Sequence, residues 1–381
     1  MKKKSIPFVK PYLIGKEIKY IQDAINNREL SGNGPYGRFC ENLIESQTNS
    51  KKIFLTPSCT AALELAAVLI DVKQGDEVIM PSFTFTSTAN AFILQGAKPI
   101  FVDIDRDTLN ISTNEIKKAI TKKTKAIVPV HYAGFGCDMD PIINLKNQGI
   151  YIIEDAAQGY GSYYKNKHLG TIGDIGTFSF HETKNITSGE GGAISINNSK
   201  LINRAEIIRE KGTNRNKFLL GLVDKYTWCD IGTSCLPSEI TAAYLRAQIE
   251  GSRKITSERI LIWNKYHSLF ANAEKDKVIV RPKIPSYLSH NGHIYYIILE
   301  SKKIRDLCIA HMKANLITTP FHYIPLHSSP AGKKFGVSVG NMKNTDEISS
   351  RLLRLPLWPG IKNIELKFIV NTLLNFLYEK I

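Results

Sequence analysis

The sequence predicts an α/β fold, with a large, mostly parallel sheet followed by a smaller C-terminal α+β domain. Three observations carry this. From residue 52 onward, short runs that are apolar throughout (Ile53–Leu55, Val78–Met80, Ile100–Val102, Ala126–Val128, Ile150–Ile153) alternate with helix-length segments at 60–72, 84–96, 112–120 and 138–148. Strands apolar throughout, separated by helices, belong to a parallel sheet covered on both faces. The rhythm changes after residue 250, and the length of 381 residues suffices for two domains, divided as 1–250 and 251–381.

Residues 13–49 carry two helical patterns, Ile18/Ile25 and Phe39/Leu43, around the turn-rich stretch Ser31-Gly-Asn-Gly-Pro-Tyr-Gly37. That stretch is a connection or a lid. Past the regular alternation, Thr177–Phe180 and Ala193–Ile196 read as strands enclosing a polar loop, and 200–211 and 237–250 read as helices. A helix over 251–274 links to the second domain, with strands at 294–299 and 316–321 and helices at 304–314 and 363–379. No internal repeat or low-complexity tract is present.

Composition excludes several classes. Hydrophobic residues at 43% and charged residues at 22% are ordinary globular values. The basic start Met1–Lys4 runs into Ser5–Pro11, which two prolines and a lysine interrupt, so no signal peptide or membrane span is expected and the protein reads as cytoplasmic. Six scattered cysteines without a CxxC pair read as reduced thiols with no zinc site, and the lone pair His290/His293 makes a poor metal site. The net charge of +15 invites nucleic acid, but the basic residues are spread along the chain, which suits a small anionic substrate better.

In a parallel sheet, ligands gather at the carboxyl ends of the strands. There the chain places Thr56-Pro-Ser-Cys-Thr60-Ala61, where a helix opens near Thr60 and offers a phosphate seat or an ordinary hydroxyl cap. Two aromatics follow, Phe83 and Phe85, one of which suits stacking on a flat ring. Asp155, at the end of Ile150–Asp155 and before two alanines, is a helix cap or a partner for a ring nitrogen, with Gln158 one turn on. Lys184 stands among hydroxyl residues ahead of the glycines 189, 191 and 192, a setting for an amine that loses its proton readily and attacks a carbonyl. The loop Arg209–Arg215 is a phosphate contact or merely solvated. Together these supply what pyridoxal 5'-phosphate needs: a phosphate anchor, a stacking face, a partner for the pyridinium and an amine.

In this order and spacing, and through Phe180–Asn185, Arg209–Arg215, Asp224–Trp228, Phe321–His327 and Arg351–Leu357, the sequence resembles the DegT/DnrJ/EryC1/StrS sugar aminotransferases, which have the aspartate aminotransferase fold (fold type I). The resemblance implies that Lys184 bonds the cofactor covalently and moves protons, and that Asp155 pairs with the ring nitrogen. It also implies that Thr60, Ala61 and Ser179 hold the phosphate, that Phe85 stacks on the ring and that Gln158 approaches the ring hydroxyl. It further implies a homodimer with its active site at the interface. Ser234 stands where many members send an asparagine into the partner's site, and Cys59 replaces a common glycine. Arg215, His322, Tyr323 and His327 are the candidate substrate contacts. The implied activity is transamination of a nucleotide-linked sugar, TDP-4-oxo-6-deoxy-D-glucose, with L-glutamate as donor; action at C3 or on another nucleotide is the alternative. The sugar 3-dehydratase branch of the family has histidine in place of this lysine, a substitution absent here.

Overall fold

The computed structural model describes residues 5–380; the basic Met1–Lys4 stretch lies outside the described residues. Its strands are β1 (Lys52–Thr56), β2 (Glu77–Pro81), β3 (Lys98–Val102), β4 (Thr124–Ile127), β5 (Tyr151–Asp155), β6 (Tyr163–Tyr164), β7 (Lys167–His168), β8 (Ile175–Ser179), β9 (Gly192–Ile196), β10 (Leu288–Ser289), β11 (Tyr295–Ile298), β12 (Val337–Ser338) and β13 (Leu352–Leu355). Eight of them form the main sheet in the order β1-β9-β8-β5-β4-β2-β3-β12. The apolar runs expected as strands fall on β1 to β5, and each is buried along most of its length.

Connection length explains the mixed pairing. Helical crossovers join β2, β3, β4 and β5, so these strands pair in parallel. The chain instead turns straight back from β8 into β9, so β9 runs antiparallel to β8 and also to β1. This register places Gly192 opposite both Thr56 and Ser179. A Cβ on Gly192 would come within 2.4 Å of the Ser58 carbonyl carbon, so only glycine lets the turn after β1 lie against the β8–β9 hairpin.

The helix Ser252–Leu269 buries Ile255, Arg259, Ile262, Trp263 and Tyr266, which the 3.6-residue period places on one face. Trp263 and Tyr266 pack in the C-terminal core with Tyr295, Leu353 and Leu373. There β11 pairs antiparallel with β13, setting Tyr296 opposite Arg354. The strand expected at 316–321 does not form; only Ile317 makes a bridge, to Ile6. Pro320 has no N–H to give a ladder. Its carbonyl instead accepts from Arg354 N at 3.0 Å, and β13 takes the place beside β11. Two stretches cross the expected division at 250/251: Ile6 packs in the C-terminal core, and β12 extends the main sheet beside β3.

Among the described residues no helix is long and apolar enough to cross a membrane, all six cysteines are free, and no group of residues suits a metal ion.

Candidate active site

A cavity of about 420 Å³ opens at the carboxyl ends of β1, β2, β5 and β8 and is closed on its other side by β13 and the loops before β11 and after Thr319. Asp155, Lys184, Thr60, Phe85, Gln158, Ser179, His322 and Tyr323 all line it.

Asp155 is the last residue of β5 and is buried. Thr88 Oγ1 donates to its Oδ2 at 2.7 Å and Ala157 N to its Oδ1 at 3.1 Å. These bonds suit an ionised carboxylate held in one orientation toward the cavity. Glu154, the other acid of the pair, points to the opposite face of the strand, as alternation requires. It accepts from Gly170 N at 2.8 Å and from Ile172 N and Gly173 N at 2.6 Å, which makes it a structural anchor. His131 completes that anchor: its Nδ1 accepts from Cys137 N at 3.1 Å, so its Nε2, 2.9 Å from Glu154, carries the proton.

Lys184 stands in the β8–β9 loop, which is tied internally by Phe180 N to Gly191 O at 2.8 Å and Lys184 N to His181 O at 2.9 Å. The next residue, Asn185, donates to Asn291 O at 2.9 Å and bonds His293 Nδ1 at 2.8 Å. The lysine is therefore fixed from both halves of the chain. Burial lowers its pKa, and the positive Arg354 adds to this, while Asp155 opposes it. The direction is the one a nucleophilic amine needs.

The phosphate seat is the start of the helix Cys59–Leu69. Its N-cap is Ser58, whose Oγ accepts from Ala61 N at 3.1 Å. The Ala61 N–H expected to meet a phosphate is thus already engaged, and Ala61 does not line the cavity; Ser58, Cys59 and Thr60 do. A helix start leaves its first N–H groups without intrahelical partners, which suits an anion. Thr60 Oγ1 bonds Ser87 Oγ at 2.7 Å, joining this helix to the start of the helix Thr86–Ile93.

The two phenylalanines part company. Phe83 is buried against Tyr132 and Tyr323, with ring centroids 4.9 Å and 5.4 Å away, and belongs to the core. Phe85 is 59% exposed at the rim of the cavity, where a flat ligand would cover it. Gln158 Oε1 accepts from Ala133 N at 2.6 Å, which fixes the amide so that Nε2 donates to Tyr323 OH at 2.9 Å.

Three expected contacts lie elsewhere. His327 bonds Ser82 at 2.7 Å and does not line the cavity, because the turn at Leu326–Ser328 directs it back to the loop after β2. Arg215 is exposed at the start of the short helix Arg215–Leu219, 3.9 Å from Glu210, and Ser234 is an exposed residue bridged to Glu210. Both lie outside the cavity of their own chain. Arg209 is not solvated: it is buried, with Nη1 2.7 Å from Glu41 and Nη2 3.1 Å from Asn33 Oδ1. It thereby ties down the Ser31–Gly37 loop, and Glu239 does the same by accepting from Tyr36 N at 2.7 Å and Gly37 N at 2.9 Å.

Sequence reasoning missed Ser87, Thr88, His181, Thr183, His293 and Arg354, all of which line the cavity. Thr88 and Ser87 had a signal, since hydroxyls at a helix start after a buried strand resemble the Thr60 pattern. The residues present fit pyridoxal phosphate: an anion seat at a helix start, an exposed aromatic face at Phe85, a fixed carboxylate and an amine of lowered pKa.

Comparison with known proteins agrees. The family model for the DegT/DnrJ/EryC1/StrS aminotransferase family matches residues 11–374. An uncharacterized protein of Methanocaldococcus jannaschii is 34% identical over 98% of both chains. The GDP-perosamine synthase of Escherichia coli O157:H7 is 31% identical over 99% of this chain and 100% of that one. Among solved structures, the PLP form of Spr1654 from Streptococcus pneumoniae, described as a candidate sugar aminotransferase, superimposes with a TM-score of 0.90. It shares 27% identity over 99% of this chain and 100% of that one. With its fold and nearly its whole length matched, this chain belongs to the DegT/DnrJ/EryC1/StrS aminotransferase family.

Proposed function

We propose that this chain is a pyridoxal phosphate-dependent aminotransferase that moves the amino group of L-glutamate onto C4 of a nucleotide-linked 4-oxo-6-deoxy sugar. The observation that carries the reading is the pairing of Asp155, fixed by Thr88, with Lys184 of lowered pKa across one cavity. When bound, the cofactor supplies an electron sink for the carbon that loses its proton. The chain supplies the rest. Asp155 keeps the ring nitrogen protonated, the helix start at Ser58–Thr60 with Ser179 holds the phosphate, and Phe85 covers a ring face. Lys184 Nζ takes the α-proton of the donor and later delivers a proton to C4 of the sugar, as acid and base in turn.

The substrate favoured is TDP-4-oxo-6-deoxy-D-glucose, giving TDP-4-amino-4,6-dideoxy-D-galactose for cell-surface polysaccharide in the cytoplasm. The stretch Phe321–His327 supports it, since His322 and Tyr323 from that stretch line the cavity. A second reading, a GDP-linked 4-oxo sugar, is favoured by the likeness to GDP-perosamine synthase. The test is incubation of the enzyme and glutamate with TDP- and GDP-linked 4-oxo-6-deoxy sugars, followed by determination of the carbon that bears nitrogen. Nitrogen at C4 of the TDP sugar, axial, supports the first reading; turnover of only the GDP sugar supports the second; nitrogen at C3 contradicts both.

We also infer a homodimer. The segment 218–231 leaves Trp228 82% exposed, with Leu219, Leu220, Leu222 and Ile231 each above half exposed, an apolar surface of the kind that a second copy covers. Arg215 and Ser234 flank this segment and are exposed, and on this reading they reach the partner's cavity. The division into a cofactor-binding body, 1–250, and a smaller body, 251–381, stands as part of the same proposal.

A further inference from the structure

Arg354 is a cation inside the cavity without an anion. It lies on β13 and lines the cavity with His322, Tyr323 and Leu355. Its Nη2 donates to Phe321 O at 3.0 Å, and its guanidinium lies 4.6 Å from the centroid of the Phe8 ring. Its Nε is buried and has no hydrogen-bond partner. The buried arginines have their Nε or Nη groups met inside the protein: Arg209 by Glu41, Arg259 by the carbonyls of Gly292 and His293, and Arg305 by Asp306. Among the described residues no carboxylate lies within ion-pair distance of Arg354. A buried guanidinium Nε left without an acceptor costs stability, so one on a charged side chain that lines a ligand cavity points to an anion supplied by the ligand.

We propose that Arg354 receives the α-carboxylate of the amino donor. The proposal rests on the aminotransferase reading above. Two substrates of that reaction carry anions, and position decides between them. The α-carboxylate is bonded to the very carbon whose proton Lys184 takes, so its partner must lie inside the cavity near the lysine. Arg354 does: it lines the same cavity as Lys184, His293 and His322, and its charge reaches all three. The diphosphate of a nucleotide sugar hangs from C1, across the sugar ring from C4, so with C4 at Lys184 it lies a ring's width farther from the lysine than an α-carboxylate does. A guanidinium with a free Nε is also the better partner for a planar carboxylate.

The test is to separate the two half-reactions in the cofactor-loaded enzyme. Cofactor absorbance follows the amination half with glutamate, and the pyridoxamine-loaded enzyme follows the other half with the oxo sugar. Succinate, a carboxylate without an amine, is titrated calorimetrically as a binding probe. Arg354→Met is expected to raise the half-saturating glutamate concentration roughly ten- to hundredfold and to abolish succinate binding, with half-saturation by the sugar little changed. Arg354→Lys, which keeps the charge, is expected to recover part of the glutamate effect, and it serves as the test if the methionine variant does not fold. Weakened sugar binding with glutamate unaffected would assign Arg354 to the diphosphate and overturn the proposal, as would no change in either half. Wild-type enzyme that shows no glutamate-dependent absorbance change removes the aminotransferase reading itself; wild-type enzyme that reacts with glutamate independently of Arg354 removes only this inference.

Discussion

Thr88 Oγ1 donates to Asp155 Oδ2 at 2.7 Å, and Thr84 Oγ1 bonds Thr88 Oγ1 at 2.8 Å behind it, so the carboxylate at the end of β5 is held by a relay of two hydroxyls from the loop and helix after β2. Thr88→Ala removes the hydrogen bond to a charged acceptor. Turnover is expected to fall about tenfold, with weaker retention of cofactor on dialysis, while Thr88→Ser keeps both near wild type. Asp155→Asn is expected to cost at least about a hundredfold in kcat, because a neutral amide does not hold a positive ring nitrogen.

Lys184 ties stability to pH. Burial lowers its folded-state pKa below the unfolded value, so between those two values the unfolded chain binds the extra proton and stability rises with pH. The penalty is full below the folded pKa and vanishes above the unfolded one, near 10.4. Without cofactor, Lys184→Met is therefore expected to melt higher than wild type at pH 7, and the gap should narrow as the pH approaches 10. A gap that does not change with pH would show that the lysine is not electrostatically strained.

Gln158 is oriented by Ala133 N, and its Nε2 holds Tyr323 OH at 2.9 Å. Tyr323→Phe removes that bond and is expected to cost about 1 kcal/mol in chemical denaturation. Its phenol is buried, and burial raises its pKa, so activity should show no titration from this tyrosine at moderately alkaline pH.

His327 was expected to touch substrate, yet it bonds Ser82 away from the cavity. His327→Gln should lower the melting temperature and leave half-saturation by both substrates unchanged. A changed sugar half-saturation with unchanged melting would reinstate it as a substrate contact.

Trp228 lies 82% exposed in an apolar segment. Trp228→Asp combined with Leu220→Asp is expected to shift the protein from dimer to monomer in sedimentation velocity. A monomeric wild type would contradict the dimer.

The pattern of these outcomes follows from what a linear sequence carries. Asp155 and Lys184 were legible because each follows an apolar run, and strand ends of one parallel sheet share an edge; β5 and β8 are in fact neighbours. Thr60 was legible from hydroxyls at a helix start, although Ser58 takes the capping role and engages Ala61 N. Arg354 and His293 were hidden, because they reach the cavity only through the pairing of β11 with β13, and β13 is a four-residue strand that no periodicity announces. His327 shares a stretch with His322 and Tyr323, but a turn beginning at Leu326 sends it the other way. Arg209 and Arg215 are close in sequence, but Arg209 ends the helix Ile202–Arg209, buried against Glu41, while Arg215 opens the next helix and is exposed.

The central claim is that Lys184 is the residue that bonds the cofactor. The direct measurement is to load the purified protein with pyridoxal phosphate, reduce it with borohydride and identify the modified residue by peptide mass spectrometry. The account predicts a visible absorption band before reduction, a single stable adduct on Lys184, and neither in Lys184→Ala. A wild-type protein that stays colourless, or that carries the adduct on another lysine, would contradict it.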